Sequence, residues 1–489
     1  MVTASGLALA SFIAYLVVVV AIGVYATRFS SGGVSHFFIG GRSMNRFVVA
    51  LSAVVSGRSA WLLLGVTGMA YTRGVSAVWA VVGYIVVELF LFLFYARRLR
   101  RFSETHDCVT VPDFFCDRFE DRSGRLRVLL VGIILIFMVP YVSAQFVAGG
   151  KAFSASFGLD QTTGVLITAG IILLYTILGG FLAVSLTDTL QACFMIVALV
   201  AVPAVAFGAR GGFTTVMEQL AALDPSLLDP MALTAGALLG FLGIGLGSPG
   251  NPHILARYMS IDDAEQLRWA AVVGTVWNVI MAWGALFIGL VGRAWYPTVE
   301  MLPDADPENL YPLLAGEILH PVLFGLVIAS IFAAIMSTAD SQLLVAASAV
   351  VRDVYEKVLR RGREVPQRRL VLLSRGVVLL LVLLSLILGF LAQDLVFWLV
   401  LFAWAGLGAA LGPTSILALF WRRTTLPGVV AGLITGTVVT IVWKQTPALS
   451  GLLYELIPAF VASTLATVAV SLMTRPPASA DEALRIMEG

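Results

Sequence analysis

Long apolar stretches, separated by short polar connections, form the pattern of this chain. A helix needs about 20 predominantly apolar residues to cross the hydrocarbon layer of a bilayer. On that criterion the sequence predicts thirteen spanning helices, near 6–27, 46–71, 76–97, 126–152, 161–181, 187–209, 231–252, 266–292, 316–350, 370–392, 396–420, 426–444 and 450–473. The fold class that we expect is an all-α polytopic membrane protein.

Arginine and lysine residues are concentrated in alternate connections. The clusters lie within 28–46, 97–127, 257–268, 352–375 and 422–423, whereas the connections between them are nearly free of both residues. Cytoplasmic connections of membrane proteins carry the excess of positive charge. The N-terminus is therefore predicted to lie outside and the C-terminus inside.

Composition excludes a soluble globular protein. Hydrophobic residues make up 59% of the chain and charged residues only 12%, whereas soluble domains carry about 25% charged residues. We expect one transmembrane domain over 1–475, integral to the cell membrane and surrounded by lipid, and a cytoplasmic tail at 476–489. No nucleic acid is expected as a partner. The four histidines offer no nucleophile and base set, so an enzyme is not expected.

Two of the predicted spans are interrupted by residues that favour helix breaks. One interruption is Ser56-Gly57 in the second span, and the other is the glycine- and proline-rich stretch 243–252 in the seventh. Spans five apart run in opposite directions, and paired broken helices of this kind are the best sequence indication of a transporter's site. The alternative is that the glycines only allow close helix packing. The pattern predicts inverted repeats at about 46–210 and 231–420, with peripheral helices at 6–27, 426–444 and 450–473.

Arg58 follows the first interruption directly and lies in the middle of an apolar span. An arginine at the centre of a spanning helix costs roughly 2.5–3.5 kcal/mol on insertion scales. Such a residue must pair with another group, extend to the interface or line a polar cavity. It is therefore a candidate functional residue.

Seven ordered motifs carry a family resemblance. They are GGRSM at 40–44, ALSA with SxWLLxG within 50–65, VPDFF with RFED within 111–121, LGGFLAVSLTDTLQA at 178–192, NPHILARYM at 251–259, AAIMST with QLLV within 333–345, and FAWAGLGAALGP at 402–413. Through them the chain resembles the sodium/solute symporter family, and within it the bacterial sodium/proline symporters. The resemblance implies a five-plus-five, LeuT-like inverted-repeat core, alternating access and a solute site between the two broken helices.

The resemblance also implies a principal sodium site where the first broken helix meets the ninth span. Carbonyl and hydroxyl oxygens suit a hard cation. The residues implied are Val55, Gly57, Arg58, Ala334, Ser337 and Thr338, with Asp340 nearby. The sodium/proline symporters carry an aspartate at the position of Gly57 and an apolar residue at that of Arg58. This chain has lost a negative charge and gained a positive one there, which predicts weakened sodium binding.

Three interpretations of Arg58 stay open at this point. Its guanidinium group could take the place of the sodium ion and donate to Ser337 and Thr338. It could bind a substrate carboxylate through two parallel hydrogen bonds. It could also form a structural ion pair, with Asp340 or Glu88 as the partner.

Two further carboxylates are candidates for a second cation site or a proton site. Asp188 follows a Gly-Gly turn and, in the family pattern, lies opposite the hydroxyls of the ninth span; its alternative role is to cap the sixth helix. Glu88 lies deep within the third span. Carboxylates inside membrane helices often mark ion or proton pathways, although a lone glutamate can also simply bond across helices.

The family pattern places eight residues at the solute site: Ser59, Ala60, Trp61, Tyr141, Gln145, Ile244, Ser248 and Pro252. The proline symporters carry aromatic residues at the positions of Ile244 and Ser248. Their loss predicts a wider and more polar pocket for an amino acid or a similar small carboxylate.

The function predicted is alternating-access transport of such a solute, with Arg58 replacing the cation of the principal site. Transport would then be independent of sodium or weakly coupled to it, as uniport, exchange or proton coupling. Sodium is a doubtful coupling ion on this interpretation, protons are a possible one, and no other cofactor is expected. The alternatives are a sodium-coupled proline or amino-acid symporter that uses Asp188, and a membrane sensor that does not transport.

Overall fold

The structure is a computed structural model that describes residues 5–26, 28, 33–361, 363–391 and 396–489. Residues 27 and 392, at the predicted ends of the first and tenth spans, lie outside these ranges. Within them the regular structure is helical apart from one isolated bridge between Met44 and Ile261, which confirms the all-α class. The α-helices are α1 Gly6–Ala26, α2 Val34–Ile39, α3 Arg46–Ala60, α4 Thr67–Arg73, α5 Val78–Phe90, α6 Ala96–Thr105, α7 Val111–Arg118, α8 Arg125–Phe157, α9 Gln161–Ala209, α10 Phe213–Leu223, α11 Ala235–Gly243, α12 Pro252–Ser260, α13 Leu267–Trp295, α14 Leu310–Ile318, α15 Pro321–Ser348, α16 Gln367–Leu391, α17 Val396–Phe420, α18 Leu426–Gln445, α19 Pro447–Ser450, α20 Leu456–Met473 and α21 Ala480–Glu488.

Among the described residues, ten helical runs are long and apolar enough to cross a membrane. The 60-residue run Arg46–Thr105 is one of them, because π-helical turns at Trp61–Val66 and Leu91–Tyr95 join its α-helices. Gln161–Ile177 and Ala235–Gly250 are apolar but shorter. The count of thirteen spans, the orientation and the repeat boundaries therefore stay predictions.

The fifth and sixth predicted spans are not separated by a connection. Residues 161–209 form one helical unit, in which only Gly180 leaves helical geometry, with φ 59° and ψ −167°. A glycine adopts this backbone without strain, and the ring of Phe37 lies 2.9 Å from the point where a Cβ would stand. The predicted gap between 181 and 187 is wrong, and the chain changes direction at Gly180 instead.

The first helix break lies at Ser59 rather than at Ser56-Gly57. Helix α3 continues through Gly57 and Arg58, and Ser59 then takes φ 49° and ψ −171°. The Ser59 hydroxyl accepts a hydrogen bond from the Trp61 amide at 3.1 Å. Serine side chains favour breaks by bonding nearby backbone in this way.

The second break coincides with the predicted stretch 243–252. Helix α11 ends at Gly243, a 3₁₀ segment runs from Ile244 to Gly250, and Pro252 begins α12. Proline is well suited to the first turn of a helix because its missing N–H would have no helical partner there. The backbone at Gly247 approaches the indole of Trp404 so closely that no side chain would fit.

The positively charged connections lie together at one end of the bundle. Arg97 and Arg101 each contact Glu265 at 2.8 Å, and Arg98 donates to the Leu419 carbonyl at 3.0 Å. The tail helix α21 docks at the same end, where Arg98 pairs with Glu488 at 3.2 Å. This end is the one that the charge pattern predicts to face the cytoplasm.

The most enclosed helices surround the helix breaks. The apolar windows of Pro321–Leu359 and of α17 are each 83% buried, whereas those of α1 and α20 are each 28% buried. The interior of the bundle is therefore built around α15 and α17, and both of these helices pack against the broken ones.

Candidate ion and solute sites

The two helix breaks border one small closed cavity of about 10 Å³. Half of its lining is aromatic: the residues are Gly57, Trp61, Tyr84, Tyr141, Ile244, Val400, Leu401 and Trp404. The ring of Tyr84 stacks on Trp61 at 6.1 Å and on Trp404 at 5.5 Å between centroids. A cavity needs roughly this volume to hold one water molecule, so this space has no room for an amino acid in this structure.

Buried polar atoms without partners point to a ligand near this cavity. The side-chain oxygen of Gln145 accepts a hydrogen bond from the Ala60 amide at 3.1 Å. Its amide nitrogen and the indole nitrogen of Trp61 are both buried and have no hydrogen-bond partner among the described residues. Unsatisfied buried groups are uncommon and need an explanation such as water or a ligand.

The structure brings most of the predicted solute residues together. Trp61, Tyr141 and Ile244 line the cavity, and Ser59 interacts with Tyr141 at its edge. Ser248 is buried beside Tyr84. Pro252 lies apart from this group, because it lines a separate cavity with Thr110 and Val345.

Arg58 does not lie at the principal ion site. Its Nε donates to the side-chain oxygen of Asn278 at 2.6 Å, and its Nη2 lies 3.9 Å from a Glu88 oxygen. The Asn278 amide in turn donates to Glu88. The guanidinium carbon stands 3.7 Å from the ring centroid of Tyr84, in a cation–π arrangement.

These contacts correct the prediction that Arg58 replaces the sodium ion. Within the described part of the chain it makes no hydrogen bond with Ser337 or Thr338, so the surrogate-cation interpretation is not supported. The structural ion pair is the interpretation that the geometry favours, with Glu88 as its partner. Asp340, the other candidate, interacts with the hydroxyl of Tyr175 instead.

One of the two predicted hydroxyls of the ninth span bonds to the first broken helix. Thr338 donates to the carbonyl oxygen of Ser56 at 2.9 Å. Ser56 directly follows Val55, which is buried. The Ser337 hydroxyl donates to the Ala334 carbonyl at 3.2 Å. The Thr338 hydroxyl and the Ser56 carbonyl thus meet where α3 contacts α15, whereas the hydrogen bond of Ser337 stays within α15.

Asp188 is the centre of a second polar cluster. It accepts hydrogen bonds from Ser52 at 2.6 Å and Ser56 at 3.1 Å, and it pairs with Arg257 at 3.3 Å. The Ser341 hydroxyl lies 3.3 Å from that of Ser56. The other oxygen of Asp188 is buried and has no hydrogen-bond partner among the described residues. Because Asp188 lies well inside α9, the alternative that it caps the start of a helix is wrong.

Comparison with known proteins identifies the family. The model of the sodium:solute symporter family matches residues 37–436. The chain belongs to the sodium:solute symporter family. It is therefore an integral protein of the cytoplasmic membrane and a transporter rather than an enzyme.

Curated relatives match the chain over nearly its whole length. The osmoregulated proline transporter of Bacillus subtilis is 37% identical over 469 residues, covering 95% of this chain and 94% of the relative. The high-affinity proline transporter of the same organism is 38% identical over 463 residues, covering 94% and 96%. A sodium/proline symporter of Staphylococcus aureus is 36% identical over 479 residues, covering 95% and 92%.

Solved structures show the same fold. A Na⁺-coupled sialic acid symporter in a substrate-bound outward-open state has a TM-score of 0.82 at 18% identity, covering 96% of this chain and 99% of that one. A nucleobase-cation-symport-1 family transporter in a closed conformation has a TM-score of 0.57 at 13% identity, covering 92% and 98%. At these identities the likeness extends to the fold alone.

Four residues that the structure places at the two sites are not among those predicted from the sequence. Tyr84 stands four residues before Glu88, a spacing that places both on one helix face, so it could have been found. Trp404 lies within the family motif at 402–413, which does not show where its ring points, and Asn278 lies in an apolar helix without a distinguishing signal. Arg257 had been counted among the cytoplasmic charges, although it is only 1% exposed.

Proposed function

We propose that this protein is a sodium-coupled symporter of proline or of a closely similar small amino acid. The observation that carries the proposal is the Asp188 cluster, in which a buried carboxylate is surrounded by the hydroxyls of Ser52, Ser56 and Ser341. The functions of the relatives point the same way, since they are proline transporters and sodium/proline symporters.

The chemistry of the two oxygen clusters supports sodium as the co-transported ion. Hard cations bind carboxylate, carbonyl and hydroxyl oxygens, and all three types are present around Ser56. Its carbonyl oxygen is shared with Thr338 and its hydroxyl with Asp188. The unpartnered oxygen of Asp188 is an available ligand. Arg58 is engaged elsewhere and leaves both clusters to other cations.

The cavity between the breaks supports a small zwitterion as the solute. No acidic side chain lines the described cavity, so the ammonium group would be held by the faces of Trp61, Tyr141 and Trp404 through cation–π attraction. A compact apolar ring suits the same aromatic walls. The free N–H groups of Gln145 and Trp61 would donate to the carboxylate.

Ser56 gives a physical reason for coupling between ion and solute. It lies three residues before the break at Ser59, and it belongs to both oxygen clusters. An ion that draws these oxygens together fixes the end of α3, and the backbone of Ala60 and Trp61 follows directly. A ligand shifts a conformational equilibrium only through such differential contacts.

Uptake into proteoliposomes tests the proposal. Labelled proline should accumulate above its external concentration when an inward sodium gradient is imposed, and unlabelled amino acids of similar size should compete with it. A choline gradient of equal ionic strength is the control, and an inward proton gradient without sodium is the third condition. Accumulation that is undiminished in the absence of sodium would contradict sodium coupling, and failure of every amino acid to compete would contradict the solute class.

A further inference from the structure

The side chain of Arg257 lies inside the Asp188 cluster. Its Nη2 contacts Asp188 at 3.3 Å and also donates to the Ser341 hydroxyl, while its Nε donates to Ser52 at 3.2 Å. The guanidinium group therefore contacts the carboxylate and two of the hydroxyls that the proposed function assigns to sodium. One positive charge already stands among these oxygens.

We propose that Arg257 is an internal competitor of the transported cation at Asp188. This inference rests on the proposed function and specifies how that function is regulated at the ion site. In the structure described here Arg257 neutralises Asp188; when sodium binds to the carboxylate and hydroxyls, the guanidinium group leaves them. Binding and release of the ion thereby become movements of α12.

Helix α12 extends from this cluster to the solute cavity. Arg257 Nη1 donates to the carbonyl oxygen of His253 at 2.8 Å, and the His253 ring stands edge-on to Tyr141 at 6.1 Å between centroids. The side chain of Ile254 lies 3.1 Å from the Cβ position of Gly57. A displacement of Arg257 is consequently transmitted to both walls of the cavity within one turn of helix.

The far end of α12 is fixed to the rest of the bundle. The Ser260 carbonyl accepts a hydrogen bond from the Met44 amide at 3.1 Å, and the Ile261 carbonyl accepts one from Arg100 Nε at 2.7 Å. We therefore place the response to the ion at the end of α12 that carries His253 and Arg257. The helix acts as a short lever with its pivot near residue 260.

The alternative role is a purely structural ion pair, and the two roles differ in the sign of one effect. A buried pair that loses one partner is destabilised because a charge is left uncompensated. If Arg257 is only structural, its removal distorts the cluster and weakens sodium binding. If Arg257 competes, its removal leaves Asp188 without a cation, so sodium binds more tightly. The affinity for the solute should then no longer depend on the presence of sodium.

Two binding measurements on the purified full-length protein in detergent separate these outcomes. The first is the sodium concentration that half-saturates the sodium-induced rise in melting temperature, with choline chloride holding the ionic strength constant. The second is the equilibrium affinity for labelled proline with and without sodium. The variants are Arg257→Gln, Arg257→Lys and Asp188→Asn. The matched control is Arg118→Gln, since Arg118 is also fully buried but bonds only to the Ala418 carbonyl among the described residues.

For Arg257→Gln we expect the half-saturating sodium concentration to fall at least tenfold, and the affinity for proline without sodium to rise toward the sodium-saturated value. Arg257→Lys, which keeps the charge on a shorter-reaching group, should give a smaller fall of the same sign. It decides the question if the glutamine variant does not fold. Asp188→Asn should raise the half-saturating sodium concentration at least tenfold, and Arg118→Gln should leave it unchanged.

The contrary results are distinct for the two proposals. An unchanged or higher half-saturating sodium concentration in folded Arg257→Gln, or in Arg257→Lys, would overturn competition while leaving sodium-coupled symport intact. Wild-type protein that binds proline but responds to sodium in neither measurement would overturn the coupling itself.

Discussion

The hydroxyl group of Tyr84 occupies the space into which a side chain at position 57 would extend, and it donates a hydrogen bond to the Gly57 carbonyl oxygen at 3.2 Å. Ile254 closes the same space from the other side, 3.1 Å from the Cβ position. Gly57 is therefore required by the approach of Tyr84 to the first broken helix. One wall of the solute cavity depends on that approach.

Substitution Gly57→Ala should displace Tyr84 and lower the affinity for proline about tenfold or more, because a Cβ cannot coexist with the hydroxyl. Combining it with Tyr84→Phe, which removes the clashing oxygen, should restore part of that loss. Equilibrium binding of labelled proline measures both. Gly132→Ala is the matched control, since its Cβ would meet nothing within 4 Å. An equal loss in the single and double variants would show that the hydroxyl is not the obstacle.

The pair formed by Arg58 and Glu88 should be strongly non-additive. Removal of one partner, by Arg58→Met or Glu88→Gln, leaves an unpaired charge in the membrane interior and should cost about 3–5 kcal/mol of stability. The double variant should melt at a higher temperature than either single variant, because no uncompensated charge remains. Melting curves of the four proteins in one detergent provide the cycle. Additive losses would mean that the two charges do not compensate each other.

Substitution Asp188→Asn should raise the sodium concentration that half-saturates proline uptake at least tenfold, because the cation loses the carboxylate ligand at the centre of the cluster. The maximal rate at saturating sodium should fall less. Initial rates in proteoliposomes over a range of sodium concentrations measure both quantities. Asp160→Asn, at the start of α9 where the side chain accepts from Thr163 at 3.2 Å, is the comparison and should behave like wild type.

Acid should weaken the ion pairs that Asp113 forms with Arg127 and Arg352. Burial acts to raise the pKa of this carboxyl group, but the charges of Arg127 and Arg352 outweigh it and hold the pKa below its usual value. A group whose pKa is lowered in the folded state stabilises the protein at pH values above its unfolded pKa of about 3.9. This stabilisation is lost as the pH falls through the folded pKa. The melting temperature of wild type should therefore drop below about pH 4.

The variant Asp113→Asn isolates this contribution. It should melt at a lower temperature than wild type near neutral pH, and the difference between the two should shrink as the pH falls below about 4. Asp229→Asn, where the side chain accepts a hydrogen bond from the Met231 amide at 2.8 Å, serves as the control. A difference that stays constant with pH would show that the ion pair with Arg127 does not account for the stability.

Some features of this fold were accessible from the sequence because their cause is local. The break at 243–252 follows from several glycines and two prolines in one apolar stretch, a composition that no continuous helix tolerates easily. The break near Arg58 was placed three residues early because Gly57 suggested it. That glycine is required by the close approach of Tyr84, 27 residues away, and such a contact leaves no trace in the local pattern.

The sequence predicts which residues belong to the candidate site better than it predicts which of them contact each other. Both Glu88 and Asp340 were possible partners for Arg58, since sequence spacing cannot decide which helices face each other across a bundle. Arg257 was missed for a similar reason: its charge was assigned to a cytoplasmic connection, whereas the fold turns it inward to Asp188. Long-range packing, and not residue chemistry, separates the prediction from the structure.

The contact between Arg58 and Glu88 also bears on how the chain enters the membrane. Both residues belong to the continuous run Arg46–Thr105, so they are synthesised close together, whereas Asn278 follows Glu88 by 190 residues. An isolated arginine would resist transfer into lipid by roughly 2.5–3.5 kcal/mol. Because the two charges lie in one segment, they can neutralise each other as that segment inserts, and α13 later adds Asn278 to the pair. The order of residues along the chain thus provides each charge with its partner at the stage of biogenesis when it is most needed.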